Sequence, residues 1–402
     1  MYIQDQLSIG DLDDEHLSYF RALGVDSIHL ELRGGPAAKG RRGSTGSANT
    51  TLAQDLKAGE DCTEVFEQAR EKVEAHGMKL NNIFMPAWEE ITLAEVDMDE
   101  KIGHWCAMLE SLGRAGIPCV GWNFKPMGNF RTESDIGRGG VQYSTFDYAV
   151  FDRNRPASHQ PPVDEVEMWV RMEKFLKAAV PTAEKAGVRM ALHPDDPPIP
   201  EALGGVAQIC STLEQFRKTL FAIAPSGHNG MLFCQGCMTE LLGPQKIYDA
   251  IAEMASKGVI AWVHFRNVRG QLPRFTEVFM DEGEVDMRRA MEVYRDNGFS
   301  GPFMMDHTPK MPQGYNNMHG KAYAIGYIRA LIQMVYGYQW SQWASERHTL
   351  APARIVTAIL YGPSSEGRSQ ILLSCETWEG NLRSGYSAQA LNGYCVSWRN
   401  RQ

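Results

Sequence analysis

The fold prediction rests first on the stretch Arg189-Met190-Ala191-Leu192-His193-Pro194-Asp195-Asp196-Pro197-Pro198. Its short apolar run is typical of a parallel strand that is covered on both faces. The run ends at His193, a metal-binding type of side chain, and the prolines then fix the backbone as it leaves the strand. The same arrangement, an apolar run followed by a metal-binding residue, recurs at Met231–Cys234, Ile260–His264 and Phe303–Asp306.

Apolar runs of this kind alternate with amphipathic helical patterns along most of the chain. The predicted strands are Val25–Leu32, Lys79–Met85, Pro118–Phe124, Val188–His193, Gly230–Cys234, Val259–Phe265, Thr276–Phe279 and Gly301–Asp306. The predicted helices are Asp13–Leu23, Thr63–His76, Met98–Ala115, Val163–Ala186, Thr212–Ile223, Pro244–Ser256, Asp286–Asn297 and Met318–Val335. Several helical patterns end at a glycine, which favours the left-handed conformation that closes a helix. Eight repeats predict an α/β fold, the (β/α)8 TIM barrel, whose strands all end at one mouth.

Two insertions and a tail depart from this alternation. The segments 34–59 and 125–162 lack clear periodicity, and we expect them to be lids or binding loops at the mouth. The run Gly137–Gly140 lacks the Lys-Ser/Thr of a P-loop, so it is interpreted as a flexible lid. We expect a catalytic barrel domain at 1–336 and a C-terminal extension at 337–402, which is either a small appendage or a poorly ordered segment.

Composition excludes several classes of protein. The chain has 402 residues and a net charge of −9, which disfavours nucleic acid as a partner because phosphate binding needs a basic face. The residues from Met1 to Gln6 do not resemble a signal peptide, and no apolar run reaches the roughly 20 residues of a membrane helix. The eight scattered cysteines do not form a disulfide framework. We therefore expect a cytoplasmic protein with no membrane partner.

The four side chains at the strand ends, His193, Cys234, His264 and Asp306, are the candidate metal ligands. They lie at the ends of predicted strands four, five, six and eight, which converge in a barrel. Each has an ordinary alternative role on its own, but four such coincidences favour a common ion. A structural zinc site is disfavoured because the pair Cys234-x-x-Cys237 has no second pair to complete it. Ligand softness leaves zinc, iron and manganese open.

Basic and imidazole side chains beside these ligands supply further chemistry. Arg266 and Arg269 follow His264 closely, and a guanidinium can bind a substrate carboxylate through two parallel hydrogen bonds. A surface ion pair with Glu282 or Glu284 is an equal alternative for Arg269. His307 directly follows Asp306 and is a candidate general acid or base, since imidazole titrates near neutral pH.

Several motifs together resemble those of the D-mannonate dehydratase family, which belongs to the xylose-isomerase-like TIM barrels. They are His-Pro-Asp-Asp-Pro-Pro at 193–198, Phe-Cys-Gln-Gly at 233–236, Val-His-Phe-Arg-Asn-Val at 263–268, Asp-Glu-Gly-Glu-Val-Asp-Met at 281–287, Asp-His at 306–307 and Asn-Phe-x-Pro at 123–126. The resemblance runs from about Val25 to Val335. It implies a hydro-lyase of hexuronate catabolism that removes water from D-mannonate to give 2-keto-3-deoxy-D-gluconate.

The resemblance also implies roles for individual residues. A divalent metal, manganese with iron as the alternative, would be bound by His193, Cys234, His264 and Asp306. His307 and Tyr315 would act as acid and base, with the order of their roles open. Arg266, Lys310, Asn123 and Lys125 would contact the substrate. The chain departs from the family at Thr308-Pro309-Lys310, where the family has Gly-Arg. Lys310 is therefore expected to replace that arginine as a substrate contact. The departure also leaves open that the substrate is a different sugar acid.

Two other functions are compatible with the sequence. A sugar isomerase or epimerase on the same barrel would also use a metal and a proton-transfer pair, although such sites generally favour carboxylates over a cysteine ligand. A catalytically inactive relative is the alternative from another class, since fold does not determine function. The sequence leaves association into homo-oligomers open.

Overall fold

The computed structural model describes residues 1–32, 47–152, 159–312 and 314–337, together with the backbone of four strands between 356 and 400. The chain divides into two compact units, Met1–Tyr338 and Gln339–Gln402. In the second unit, β14 (Val356–Leu360) pairs with β15 (Ile371–Cys375), and β16 (Tyr386–Leu391) pairs with β17 (Cys395–Asn400), each pair antiparallel.

The first unit contains a closed parallel barrel of eight strands in the order β1-β13-β10-β9-β8-β4-β3-β2. The barrel strands are β1 (Tyr2–Ser8), β2 (Ser27–Glu31), β3 (Lys79–Phe84), β4 (Cys119–Trp122), β8 (Arg189–Leu192), β9 (Asn229–Cys234), β10 (Ile260–His264) and β13 (Pro302–Met304). The other strands are β5 (Asp135–Ile136), β6 (Gln142–Tyr143), β7 (Thr145–Asp147), β11 (Asn267–Gln271) and β12 (Arg274–Val278). The predicted TIM barrel is therefore confirmed.

Helices follow most of the barrel strands and cover the outside of the barrel. They are α1 (Asp14–Ala22), α2 (Ser47–Ala58), α3 (Thr63–Ala75), α4 (Glu89–Thr92), α5 (Met98–Arg114), α6 (Glu165–Ala186), α7 (Leu213–Arg217), α8 (Gln235–Leu242), α9 (Ile247–Ser256), α10 (Met287–Asp296) and α11 (Asn317–Tyr336). The capping box of α6 shows why a helix begins there, because Asp164 and Glu167 each satisfy the other's backbone N–H. Gly187 ends the same helix in the left-handed conformation.

The first barrel strand, Tyr2–Ser8, is absent from the sequence prediction. Its sequence is not an apolar run, because Gln4 and Asp5 are buried polar residues. The Gln4 side chain accepts hydrogen bonds from Asn81 and Asn82 inside the barrel wall. Because this strand comes first, predicted strands one to six are in fact the second to seventh strands of the barrel. The four candidate ligands therefore lie at the carboxyl ends of the fifth to eighth barrel strands.

The predicted seventh strand, Thr276–Phe279, is wrong as a barrel strand. It corresponds to β12, which pairs antiparallel with β11 and β7 in a separate three-stranded sheet. A short apolar run does not distinguish a parallel barrel strand from a hairpin strand. The hairpin is instead indicated by the two residues, Leu272 and Pro273, that separate β11 from β12.

The predicted insertions contain regular structure. Helix α2 occupies the second half of the segment 34–59, and residues 33–46 lie outside the described part. The segment 125–162 contributes β5, β6 and β7, with residues 153–158 again outside the description. The run Gly137–Gly140 forms the turn between β5 and β6, where Gly139 and Gly140 have positive φ and Arg138 pairs with Asp281 at 2.6 Å.

The barrel interior explains why four ligand-type side chains meet. Cys119, Ala191, Leu232, Trp262 and Met304 pack together as a buried apolar layer. Alternate residues of a strand face the same side. The residues two positions after Ala191, Leu232, Trp262 and Met304 therefore also face inward, one layer nearer the mouth. Those residues are His193, Cys234, His264 and Asp306. Among the described residues, no helix is long and apolar enough to cross a membrane.

A buried ion pair joins the first strand to the last helix and stabilises barrel closure. Asp5 on β1 is 3% exposed and pairs with Lys321 on α11. We predict that Asp5→Ala lowers the free energy of unfolding by about 3 kcal/mol, because it leaves a largely buried ammonium unpaired. Denaturant unfolding followed by tryptophan fluorescence measures this difference.

The matched control is Glu173→Ala, which removes an exposed partner of Lys177 on α6. Its effect should be much smaller, because an exposed ion pair contributes little to stability. Equal effects of the two substitutions would contradict a stabilising role for the pair between Asp5 and Lys321.

Candidate metal centre

The carboxyl ends of the last four barrel strands bring the candidate ligands into two overlapping groups. The ligand atoms of Cys234, His264 and Asp306 lie within 4.8 Å of one another. Those of His193, Cys234 and Cys237 also lie within 4.8 Å of one another. The rings of His193 and His264 are 5.4 Å apart, centroid to centroid. Cys234 is the member that the two groups share.

The orientation of His193 leaves one ring nitrogen for a ligand. Its Nδ1 lies 2.6 Å from the carbonyl oxygen of Pro194, so Nδ1 donates to that oxygen. A neutral imidazole that donates from Nδ1 has a lone pair on Nε2, which is the form that binds a metal. The turn that follows the strand therefore sets the tautomer.

The Cys234 thiol lies in a buried site with strong opposing influences on its ionisation. Burial raises the pKa of Cys234, but a hydrogen bond from Cys237 and the charge of Arg266 outweigh this effect. The result is a pKa well below the usual value for a thiol. Arg266 Nη2 lies 3.4 Å from the sulfur. These surroundings favour the thiolate of Cys234, the form that binds metals.

His264 and Asp306 form the second side of the centre. His264 Nδ1 lies 3.4 Å from Asp306 Oδ2. Burial lowers the pKa of His264, but Asp306 and Cys234 reverse this and raise it to about 9. The negative groups around this imidazole therefore favour a bound cation, which is either a proton or a metal ion.

The backbone at Asp306 is unusual for its residue type. Its φ is +77°, in the left-handed region that non-glycine residues rarely adopt. Such a conformation costs on the order of 1 kcal/mol and persists only where the surroundings impose it. Here it turns the carboxylate at the end of β13 towards His264.

The donor set passes a chemical test for a metal ion. Both ring nitrogens of His264 are buried, and within the described part of the chain neither makes a hydrogen bond of good geometry, although Nδ1 faces the Asp306 carboxylate. A buried polar atom without a partner is costly, so such an atom in a native site calls for an explanation. Two imidazoles, a thiolate and a carboxylate facing one another are a suitable set of ligands for a divalent transition metal.

A network of buried charges surrounds the centre on one side. Arg266 pairs with Glu277 and lies 3.5 Å from both Glu240 and Asp306. Arg131 pairs with Glu277 at 2.6 Å and with Asp196 at 2.7 Å. Burial opposes ionisation of Glu277, but Arg266 and Arg131 lower its pKa. Arg266, which the sequence predicts to bind substrate, thus also contacts acidic groups of the protein.

Arg269 forms a surface ion pair with Glu282, which is the alternative to substrate binding that the sequence left open. It is half exposed, donates to the backbone oxygen of Glu282 at 2.8 Å and lies 3.5 Å from that residue's carboxylate. This is a surface ion pair of the kind that contributes little to stability.

Glu277 is a site residue that sequence reasoning missed. Its Oε2 lies 3.4 Å from Nε2 of His307, and the carboxylate is buried while the imidazole is half exposed. A carboxylate at this distance can orient an imidazole and stabilise its charged form. The one indication in the sequence is a glutamate within the segment Thr276–Phe279, which the apolar pattern predicts to be a barrel strand.

A cavity of about 240 Å³ opens beside His307. Its walls include Arg131, Arg266, Glu277, His307 and Lys310. The backbone N–H and carbonyl of Lys310 pair with those of Gln142, which connects the loop after β13 to β6. The structure thus places three predicted residues, Arg266, His307 and Lys310, around one space.

The other predicted site residues lie elsewhere. Asn123 and Lys125 line a second cavity of about 680 Å³, and Lys125 Nζ is 2.5 Å from Asn129 Oδ1. Tyr315 is 61% exposed, and its ring lies 5.4 Å from that of His319. It is not among the residues that line either cavity. Its catalytic role stays a prediction.

Comparison with solved structures agrees with this architecture. The crystal structure of mannonate dehydratase from Streptococcus suis serotype2 superposes with a TM-score of 0.68 at 23% identity, covering 84% of this chain and 96% of that one. A xylose isomerase domain protein from Alicyclobacillus acidocaldarius superposes with a TM-score of 0.52 at 12% identity, covering 83% of this chain and all of that one. The closed barrel and these superpositions therefore define a TIM barrel.

Sequence comparison narrows the class further. The D-mannonate dehydratase (UxuA) family matches residues 150–341. A mannonate dehydratase of Streptococcus pneumoniae is 28% identical over 270 residues, which cover 60% of this chain and 72% of the relative. One from Streptococcus agalactiae is 27% identical over 322 residues, covering 70% and 91%. Residues 150–341 are therefore similar to the D-mannonate dehydratase family, in agreement with the motifs.

The charge network makes a prediction about stability. Arg266→Met should lower the free energy of unfolding of the metal-free protein by about 3–5 kcal/mol, because it removes the buried cation beside Glu277, Asp306 and the Cys234 sulfur. The control Arg269→Met removes the exposed guanidinium three residues away and should cost no more than about 1 kcal/mol. Chemical denaturation of both variants tests the difference, and an Arg266 variant as stable as the control would contradict the network.

Proposed function

We propose that this chain is a metal-dependent hydro-lyase that removes water from D-mannonate to give 2-keto-3-deoxy-D-gluconate. The observation that supports this most is the convergence of His193, Cys234, His264 and Asp306 at one mouth of a barrel related to that family. We propose these four as the metal ligands and manganese, or else iron, as the ion. A bound divalent ion would act as a Lewis acid for the negative charge that develops beside the substrate carboxylate.

Proton transfer is assigned to side chains near the 240 Å³ cavity. Elimination needs a base for the proton at the carbon next to the carboxylate and an acid for the hydroxyl that leaves from the following carbon. We propose His307 and Tyr315 as this pair. Glu277 supports the choice of His307, since its carboxylate lies 3.4 Å from the imidazole and would stabilise the protonated ring. Tyr315 stands on the loop that follows His307, so its role requires this loop to close over the substrate.

Recognition of the acid is assigned to the basic groups of the mouth. Lys310 is exposed at the rim of the cavity and can reach a substrate carboxylate as a point charge. Arg266 lines the floor of the same cavity and would contribute positive potential from a buried position. Asn123 and Lys125, which line the larger cavity, would bind the hydroxyls at the other end of the sugar chain. Residues 1–336 would then carry the whole site.

The proposed reaction predicts a specific product. Protein loaded with manganese or iron should convert D-mannonate to a 2-keto-3-deoxy acid, detected as the absorbance of its semicarbazone. Removing the metal with a chelator should abolish turnover, and adding the ion back should restore it. D-Gluconate, which differs only at the carbon that loses its proton, is the discriminating control substrate.

The competing functions give different outcomes in the same experiment. Exchange between an aldose and its ketose without any keto-deoxy product would indicate an isomerase instead. Metal-loaded, folded protein that converts no sugar acid in a panel of aldonates would indicate an inactive relative.

The proposed acid and base make a second prediction. His307→Asn and Tyr315→Phe should each lower kcat by about 10²–10⁴-fold, because each removes one proton transfer. Metal content should stay at the wild-type value in both variants. His228→Asn, at the opposite end of β9 from Cys234, should leave kcat unchanged. Full turnover in the His307 and Tyr315 variants would exclude this pair.

A further inference from the structure

A second cysteine lies beside the proposed metal ligand Cys234. Cys237 is in the first turn of α8, for which Cys234 is the N-cap residue. Both thiols are free and buried. The ligand atoms of Cys237, Cys234 and His193 lie within 4.8 Å of one another. The first turn of α8 therefore brings the two sulfurs together, and His193 at the end of β8 adds an imidazole beside them.

The surroundings of Cys237 are unlike those of a cysteine that fills space in a core. Cys119, by comparison, packs in the apolar layer of Ala191, Leu232 and Trp262. The sulfur of Cys237 lies 3.3 Å from Arg266 Nη2, the same nitrogen that approaches Cys234. Asp196 and Glu240 also have oxygens within 4.8 Å of it. The side chain therefore faces the polar centre.

We propose that Cys237 is a fifth protein ligand, so that the ion is bound by two thiolates. This inference rests on the metal site proposed above. The two groups of ligand atoms share Cys234, so an ion bound to that sulfur is within reach of both groups. A bound cation displaces the proton of a coordinating thiol. The nearby guanidinium of Arg266 then balances the additional negative charge.

A second thiolate changes which ion the site prefers. Thiolate ligands favour zinc, ferrous iron and cobalt, whereas manganese and magnesium favour oxygen ligands. With two sulfurs, two imidazoles and one carboxylate, the site is softer than a manganese centre. Of the two ions proposed for the reaction, this ligand set therefore favours iron over manganese, and purified protein should retain iron or zinc.

The number of sulfur ligands can be counted directly. The metal-free protein is reduced, loaded with zinc and studied by X-ray absorption at the zinc edge. The wild-type protein should show two sulfur scatterers at about 2.3 Å, the usual zinc–sulfur distance. One sulfur in the wild-type protein would overturn the proposal, whatever the variants do.

Cobalt loading supplies an independent measurement with variants. The thiolate-to-cobalt absorption per bound ion should fall to about half in Cys237→Ser and in Cys234→Ser. Cys106→Ser, which removes a partly buried thiol on α5, is the matched control and should keep the full intensity. Full intensity in Cys237→Ser, with complete loss in Cys234→Ser, would contradict the second thiolate.

Two further measurements separate coordination from folding and from turnover. Circular dichroism and the unfolding midpoint report whether each variant is folded. Cys237→Asp, which offers an oxygen ligand, should bind the ion again and raise the affinity for manganese relative to zinc. Two sulfurs per ion without dehydration of D-mannonate would refute the proposed function alone, whereas dehydration with one sulfur would refute only the role of Cys237.

Discussion

The guanidinium of Arg266 is the charge on which the arrangement of the centre depends. It lies within 3.5 Å of Glu240, Asp306 and Cys234, and it pairs with Glu277. Each buried ion costs several kcal/mol in lost hydration, while a pair at about 4 Å recovers only about 4 kcal/mol at an intermediate effective dielectric constant. Glu277, Asp306 and the Cys234 sulfur are therefore stabilised as anions by this shared cation, whereas burial raises the pKa of Glu240. Gly236 makes room for it, because a Cβ there would lie 2.7 Å from the guanidinium carbon.

Two of the motifs that resemble the family contain residues whose side chains or small size hold loops together around the centre. Asn267 donates to the carbonyl oxygens of Met280 and Val285, so it joins the motif after β10 to the motif at 281–287. A Cβ on Gly283 would lie 2.1 Å from the Asn267 side chain, which explains the glycine between the two acidic residues. These residues hold the loops around the site in place and need not touch substrate. The motifs therefore predict the family more securely than they predict the role of each residue.

The sequence predicted the barrel and the meeting of the four ligand-type side chains because both follow from local patterns. Apolar runs identify strands, and alternation fixes which residues face inward at the mouth. Strand β1 could not be found in this way, since its inward residues are satisfied by hydrogen bonds from distant asparagines. Glu277 and Cys237 acquire their meaning only from neighbours on other elements, Arg266 above all. Such pairings depend on tertiary distances that a single sequence does not contain.

The inserted three-stranded sheet is where this chain adds chemistry to a common scaffold. A solved structure at 12% identity shares this fold, and a fold alone does not determine a reaction. β11 begins three residues after His264, and β12 then carries Glu277 back to the cavity. The sheet rests on its own apolar cluster, which includes Phe130, Phe146 and Phe275. This cluster includes Phe275 of β12, and Glu277 on the same strand contacts both Arg266 and His307. The proposed proton transfer and metal binding would thereby share one support.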